Sequence, residues 1–208
     1  MPRLLLIVVL APLWALAEVV CSLGSGASAY KGSGDQRPTP DTMQLAARVN
    51  LAMKPICADH CPQLGLYRNS TAANVMLVLD AGDAKLVYAP DFFARAYQSG
   101  GDAALVALLA HELGHALDDT MGAAWVNQKW APELKADSWG ACVLGRLALK
   151  ENELAAAITA LKANPSPNHP AWSQRLAPMR AGYSHCGGAA AAFDKAANPT
   201  NTKPAKKG

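Results

Sequence analysis

The sequence predicts an α+β fold, rich in helix, with a small antiparallel sheet. Three observations carry this expectation. Long stretches place apolar residues at helical spacing, a few short β-rich runs cluster in the first half, and Gly, Pro and Asx punctuate the boundaries between them. With 208 residues the chain suits one domain with a real core. It contains no internal repeats.

The elements run in order. Asp41 is placed to cap a helix that runs to about Lys54, where Pro55 stops it. Residues 64–68 and 74–79 read as strands. Residues 85–89 pair with the second of these through the turn Ala81-Gly82-Asp83. Pro90 and Asp91 open a short helix to Gln98. Gly100-Gly101 then breaks the chain, and Asp102 caps a helix over 103–119. Its apolar stripe is Leu105, Leu108, Leu109, Leu113, Ala116 and Leu117. Further helices start at Pro132 and span 151–163. The loop Asn164-Pro165-Ser166-Pro167 leads to a last helix over about 171–180. From Gly187 onward the composition predicts disorder, and the alanine run 189–192 is too short to be a stable helix alone.

The N-terminus reads as a secretory signal peptide. Arg3 precedes an apolar run over 4–17, interrupted by Pro12, and Ala27-Ser28-Ala29 is an A-x-A cleavage site. An earlier cut after Ala15-Leu16-Ala17 is the alternative. The run is shorter than the ~20 apolar residues of a membrane span. The organisation expected is therefore a signal peptide over 1–29, a linker over 30–40, one domain over 41–186 and a tail over 187–208. Export, to a bacterial periplasm, is the expected localisation. Anchoring through an uncleaved signal or a lipidated Cys21 is the alternative.

Cleavage after Ala29 removes Cys21 and leaves Cys57, Cys61, Cys142 and Cys186. An even number in an exported protein favours two disulfides, with three pairings open. Cys57, His60 and Cys61 also have the spacing of a metal clip, which export makes the weaker reading. Cys142 follows Asp137 by about one turn, so a bridge there braces that helix. The net charge of +3 is too small to suggest nucleic acid as a partner. Asn69-Ser70-Thr71 is a glycosylation sequon.

The chemistry lies in His111-Glu112-Leu113-Gly114-His115. On a helix, residues four apart share a face, so His111 and His115 can grip one zinc ion. Glu112 projects beside the metal without having to ligate it, where a general base for an attacking water must stand. Gly114 weakens the helix by about 1 kcal/mol relative to Ala, which suggests that another backbone packs closely there. A catalytic zinc needs a third protein ligand. Asp118 and Met121 occupy the positions where a metzincin would carry its glycine and third histidine. Downstream, Pro132 suits a first helical turn, and Glu133 and Asp137 then lie one turn apart on one face. Glu133 can complete the ligand set. Asp137 can accept the remaining imidazole N–H of a ligand histidine and fix its tautomer. Gly140 and Ala141 keep that face small enough for close approach.

HELGH followed by E-x-x-A-D resembles the gluzincin metallopeptidases of the HtpX and CaaX-prenyl-protease type. Residues 74–89 resemble the strand pair those enzymes place before the motif helix, and His169-Pro170-Ala171-Trp172-Ser173-Gln174-Arg175 matches their downstream H-P-x-x-x-x-R element. The resemblance covers roughly 42–180. It implies a zincin-like domain in which His111, His115 and Glu133 bind zinc, Glu112 is the base and Asp137 supports a ligand. His169 and Arg175 would order the site or meet substrate, with His169 stabilising an oxyanion. The 74–89 hairpin would offer an edge to an extended peptide. The implied activity is hydrolysis of peptide bonds in unfolded or damaged envelope proteins or in peptides. A metal-binding chaperone or assembly factor is the alternative. Unlike many members of that family, the chain carries neither several transmembrane helices nor helical repeats, and 115–133 is short.

Overall fold

The computed structural model describes residues 18–23, 29–80, 83–165 and 167–198. Its elements are β1 (Glu18–Leu23), α1 (Pro40–Cys57), β2 (Gly65–Arg68), β3 (Val75–Asp80), β4 (Asp83–Tyr88), α2 (Pro90–Thr120), α3 (Pro132–Arg146), α4 (Glu151–Ala163), α5 (Trp172–His185) and α6 (Ala190–Ala197). The class is α+β, as expected. The long helix α2 is the hub. It packs on β3 and β4 of the sheet and against α1, α3 and α4, and Ala104, Val106, Ala107, Leu108 and Ala110 are wholly buried.

The sheet is mixed, not antiparallel. Its order is β1-β3-β4-β2, with β1–β3 and β3–β4 antiparallel and β2–β4 parallel. The 69–74 connection explains the parallel pair. It reverses the chain but leaves a strand's width between β2 and β3, and β4 fills that place. Asn69 N–H donates to Tyr88 O at 2.9 Å and Ala89 N–H to Asn74 O at 2.8 Å, fixing both ends. Asn69 is itself buried. Its amide donates to Lys31 O and Asp35 Oδ1, and its Oδ1 accepts from Thr71 N–H and Oγ1–H. The side chain of the sequon thus holds this turn and is closed to a glycan.

Several boundaries differ from expectation. Thr39, not Asp41, caps α1, its Oγ1 accepting from Thr42 N–H at 3.3 Å. The helix passes Pro55 and ends at Cys57. A proline in the last turn forfeits little, and the Cys57–Cys61 disulfide ties down the residues just beyond the helix end. The short helix and the motif helix form one element with a kink at Gly101, whose φ of 59° suits glycine. Helix α5 runs on to His185, where the Cys142–Cys186 disulfide joins its end to α3. Residues 190–197, expected within a structureless tail, form α6. Phe193 and Ala196 bury against α4 and α5, and that packing supplies the stability an isolated eight-residue helix lacks. Residues 199–208 lie outside the described residues.

Most of the expected signal segment, 1–17 and 24–28, also lies outside the described residues, as does the turn residue pair 81–82. Residues 18–23 form β1, paired to the outer edge of β3. The hairpin edge expected to receive an extended peptide is therefore covered by the chain's own strand. Among the described residues no helix is long and apolar enough to cross a membrane.

Candidate metal centre

The site is made by the approach of α3 to α2, and glycines set that approach. A Cβ on Gly114 of α2 would run into the carbonyl oxygen of Ala136. On α3, a Cβ on Gly140 would lie 3.0 Å from Ala110 O and from His111 Cα. Each glycine thus faces the other helix's backbone, and the interaxial distance falls below what side chains would permit. Glu133 and Asp137, on the same face of α3, are thereby pressed against His111 and His115. Helix α5 is seated on α3 in the same way, because a Cβ on Gly182 would overlap the carbonyl of Ser138. This brings Arg175 beneath the centre.

All of the expected residues converge. Glu133 Oε2 lies 3.3 Å from His111 Nε2, 3.5 Å from His115 Nε2 and 2.6 Å from His169 Nε2. His111 donates from Nδ1 to Asp137 Oδ1 at 3.0 Å, which leaves its Nε2 to face the centre. Asp137 is held from below by Arg175, which donates from Nε to Oδ2 and from Nη2 to Oδ1, each at 2.7 Å. The remaining Arg175 donor, Nη1, reaches Leu161 O at 3.1 Å. Arg175 and Asp137 are 1% exposed, so the pair works in a low dielectric where a charge is tolerated only when matched.

The electrostatics reflect burial and matching. Burial pulls the His111 imidazole down, but its bonds to Asp137 and Glu133 outweigh that and hold it up at about 9. Burial opposes ionisation of Glu133, yet the imidazoles of His111, His115 and His169 hold its carboxyl far below the usual range. Burial likewise opposes the charge on Asp137, and Arg175 and His111 overcome it. Burial and then the Arg175 charge push His169 down, only partly countered by Glu133. Burial raises Glu112 to about 7 against the pull of His111 and His115.

A metal fits this cluster. Two buried polar atoms of the motif have no hydrogen-bond partner among the described residues: His115 Nε2, within the donor group, and Glu112 Oε1. The other oxygen of Glu112, Oε2, accepts from Leu77 N–H of β3 at 3.0 Å, so strand and motif helix are locked together at the base. The donor atoms of Cys21, His111, His115 and Glu133 all lie within 4.8 Å of one another. Nitrogen, oxygen and sulfur donors in one compact group suit a divalent transition metal.

Cys21 is the member not expected. It projects from β1, and its Sγ lies 3.5 Å from Glu133 Oε1 and 3.9 Å from Oε2. It is the one free cysteine among the described residues, and it is buried. Its place in a leader-like segment hid it. The available signal was its oddness, a fifth cysteine beside two pairs.

A cavity of about 440 Å³ opens beside His115, walled by Leu64, Leu77, Leu79 and Ala116 with Asp118 and Asp119 near its rim. A second, of about 540 Å³ between α1 and α2, contains none of these residues. No family model, curated protein or solved structure matches the chain.

Proposed function

We propose that the chain is an exported zinc endopeptidase of the gluzincin kind, hydrolysing unfolded or damaged envelope proteins or peptides. One observation carries the reading. The HExxH histidines and Glu133 turn three donors to one point, with the Glu112 carboxylate beside it and the Arg175–Asp137–His111 chain fixing a ligand's tautomer. Two disulfides support an oxidising compartment.

When bound, zinc supplies Lewis acidity for amide hydrolysis. The other roles fall to side chains. Glu112, buried and poised near neutrality, takes a proton from the attacking water and passes it to the leaving amine. His169 donates from Nε2 to Glu133 and holds that carboxylate in place; stabilising a developing oxyanion would require this N–H to be released from Glu133. Asp137 and Arg175 position His111. The cavity beside His115 receives a substrate side chain, its leucine walls favouring an apolar one.

The test is metal content of the purified protein, wild type and Glu133→Ala. About one zinc per chain, largely lost in the variant, is the expected result. A folded wild type without metal would defeat the proposal. Cys21 favours a second reading, because four protein donors are the pattern of a closed structural site. On that reading the protein is a metal-binding chaperone or assembly factor of zincin-like fold. Chelator-sensitive casein hydrolysis, measured in wild type and in Cys21→Ser, separates the two.

A further inference from the structure

Strand β1 does two things at once. It pairs antiparallel with β3, placing Cys21 opposite Leu77, the residue whose N–H holds Glu112. It also delivers the Cys21 thiol into the donor group of His111, His115 and Glu133. The ladder shifts register between Val19 and Cys21, so the local backbone departs from regular pairing just before the thiol. A polypeptide substrate adding to the sheet beside the motif helix would need the β3 edge that β1 holds. A water at the metal would need the coordination position that Cys21 faces, since a catalytic site keeps one position open and a four-ligand site does not.

We propose that Cys21 is a fourth, displaceable metal ligand and that its thiol, carried in by β1, keeps the enzyme latent by closing the centre to water. This rests on the metallopeptidase reading above. The thiol needs no strong intrinsic affinity, because tethering on the same chain gives it a high effective concentration at the centre. The sequence supplies a means of release. Small-residue A-x-A motifs flank the strand, Ala15-Leu16-Ala17 before it and Ala27-Ser28-Ala29 after it. Cleavage at the first keeps Cys21 with the chain. Cleavage at the second removes the backbone tether and leaves β1 held by strand pairing, the Ser22–Asn74 hydrogen bond and the Cys21 thiol. The choice of cut thus sets whether the product is latent or open.

The test uses the full chain loaded with cobalt(II), as wild type, Cys21→Ser and Cys21→Ala. The expected wild type binds about one cobalt per chain and has a thiolate-to-cobalt charge-transfer absorption in the near ultraviolet. Both variants keep the cobalt and lose that absorption. Loaded with zinc, they hydrolyse a peptide roughly tenfold or more faster than wild type, as activity tracks the fraction of molecules with an open site. One cobalt per chain without the sulfur absorption in wild type overturns the thiol ligand and leaves the His111, His115, Glu133 centre standing. Loss of the absorption with no rise in hydrolysis in either variant overturns the latency. No cobalt in any of the three overturns the metal centre, and this inference with it.

Discussion

Arg175 grips both carboxylate oxygens of Asp137 at 2.7 Å, and the Oδ1 it binds also accepts from His111 at 3.0 Å. Three residues from three helices thus share one buried charge balance. Breaking it from one side should be severe. Arg175→Met keeps the volume but leaves the Asp137 charge buried without its main partner, for an expected loss of about 3–5 kcal/mol. The double variant Asp137→Asn, Arg175→Met should recover part of that loss. Urea unfolding of the metal-free proteins measures both.

The same pair sets an acid limit. The carboxyl of Asp137 is held below its ordinary value of 3.8 in the folded protein, mainly by Arg175 against the effect of burial. A depressed folded value means that the unfolded chain takes up the proton first. The contribution is therefore fully present above about 3.8 and is lost as pH falls through the lower, folded value. Metal-free wild type should lose more stability on acidification than the double variant does. Parallel curves for the two would show that Asp137 is not so matched.

Gly114 gives a separate test of the helix contact. Alanine there would favour an isolated helix by about 1 kcal/mol. Against α3, its methyl would overlap the Ala136 carbonyl, and overpacking of this kind costs about 1–3 kcal/mol. The expected net result of Gly114→Ala is a lower melting temperature with weakened zinc retention, because Glu133 rides on the helix that is pushed away. Gly122→Ala, where a Cβ meets nothing within 4 Å, should stay within about 0.5 kcal/mol of wild type. Equal behaviour of the two variants would remove the argument.

The contrast between these glycines bears on what the sequence could disclose. His111 and His115 were legible because helical spacing is a local rule, and Glu133 and Asp137 because Pro132 marks the start of their helix. Gly114 could be read as a close contact, though not against which atom. The parallel β2–β4 pair was not legible, since pairing depends on where a distant strand inserts. Helix α6 was hidden for a related reason: its stability comes from Phe193 and Ala196 packing on α4 and α5, not from its own eight residues. Cys21 was lost because an apolar run before A-x-A reads the same whether it becomes a leader or a strand.

The two disulfides should differ in what they contribute. Cys142–Cys186 closes 44 residues of sequence separation and Cys57–Cys61 closes 4. In the chain-entropy account the first stabilises by about 4 kcal/mol and the second by about 2 kcal/mol. Because Cys142 lies on the Glu133 helix, its loss should also loosen the centre. Cys142→Ala, Cys186→Ala is therefore expected to lower both the unfolding midpoint and zinc retention, while Cys57→Ala, Cys61→Ala lowers the midpoint less and leaves zinc in place. Equal zinc loss from both would mean that the α3–α5 bridge has no special hold on the site.

Glu112 tests the chemistry without disturbing the fold. Its Oε2 accepts from Leu77 N–H, and glutamine can keep that bond through its carbonyl oxygen. What glutamine cannot do is take a proton. With His111, His115 and Glu133 untouched, Glu112→Gln should hold the same zinc per chain and lose kcat by about 10²–10⁴-fold, the usual worth of a positioned acid–base group. KM should change little where substrate contacts are intact. Because Cys21 closes the site in the latent form, the comparison belongs in the Cys21→Ser chain as well as in wild type. Hydrolysis that survives Glu112→Gln in both backgrounds, with zinc bound, would mean that the base is another residue or that the carboxylate serves only to lock β3 to the motif helix.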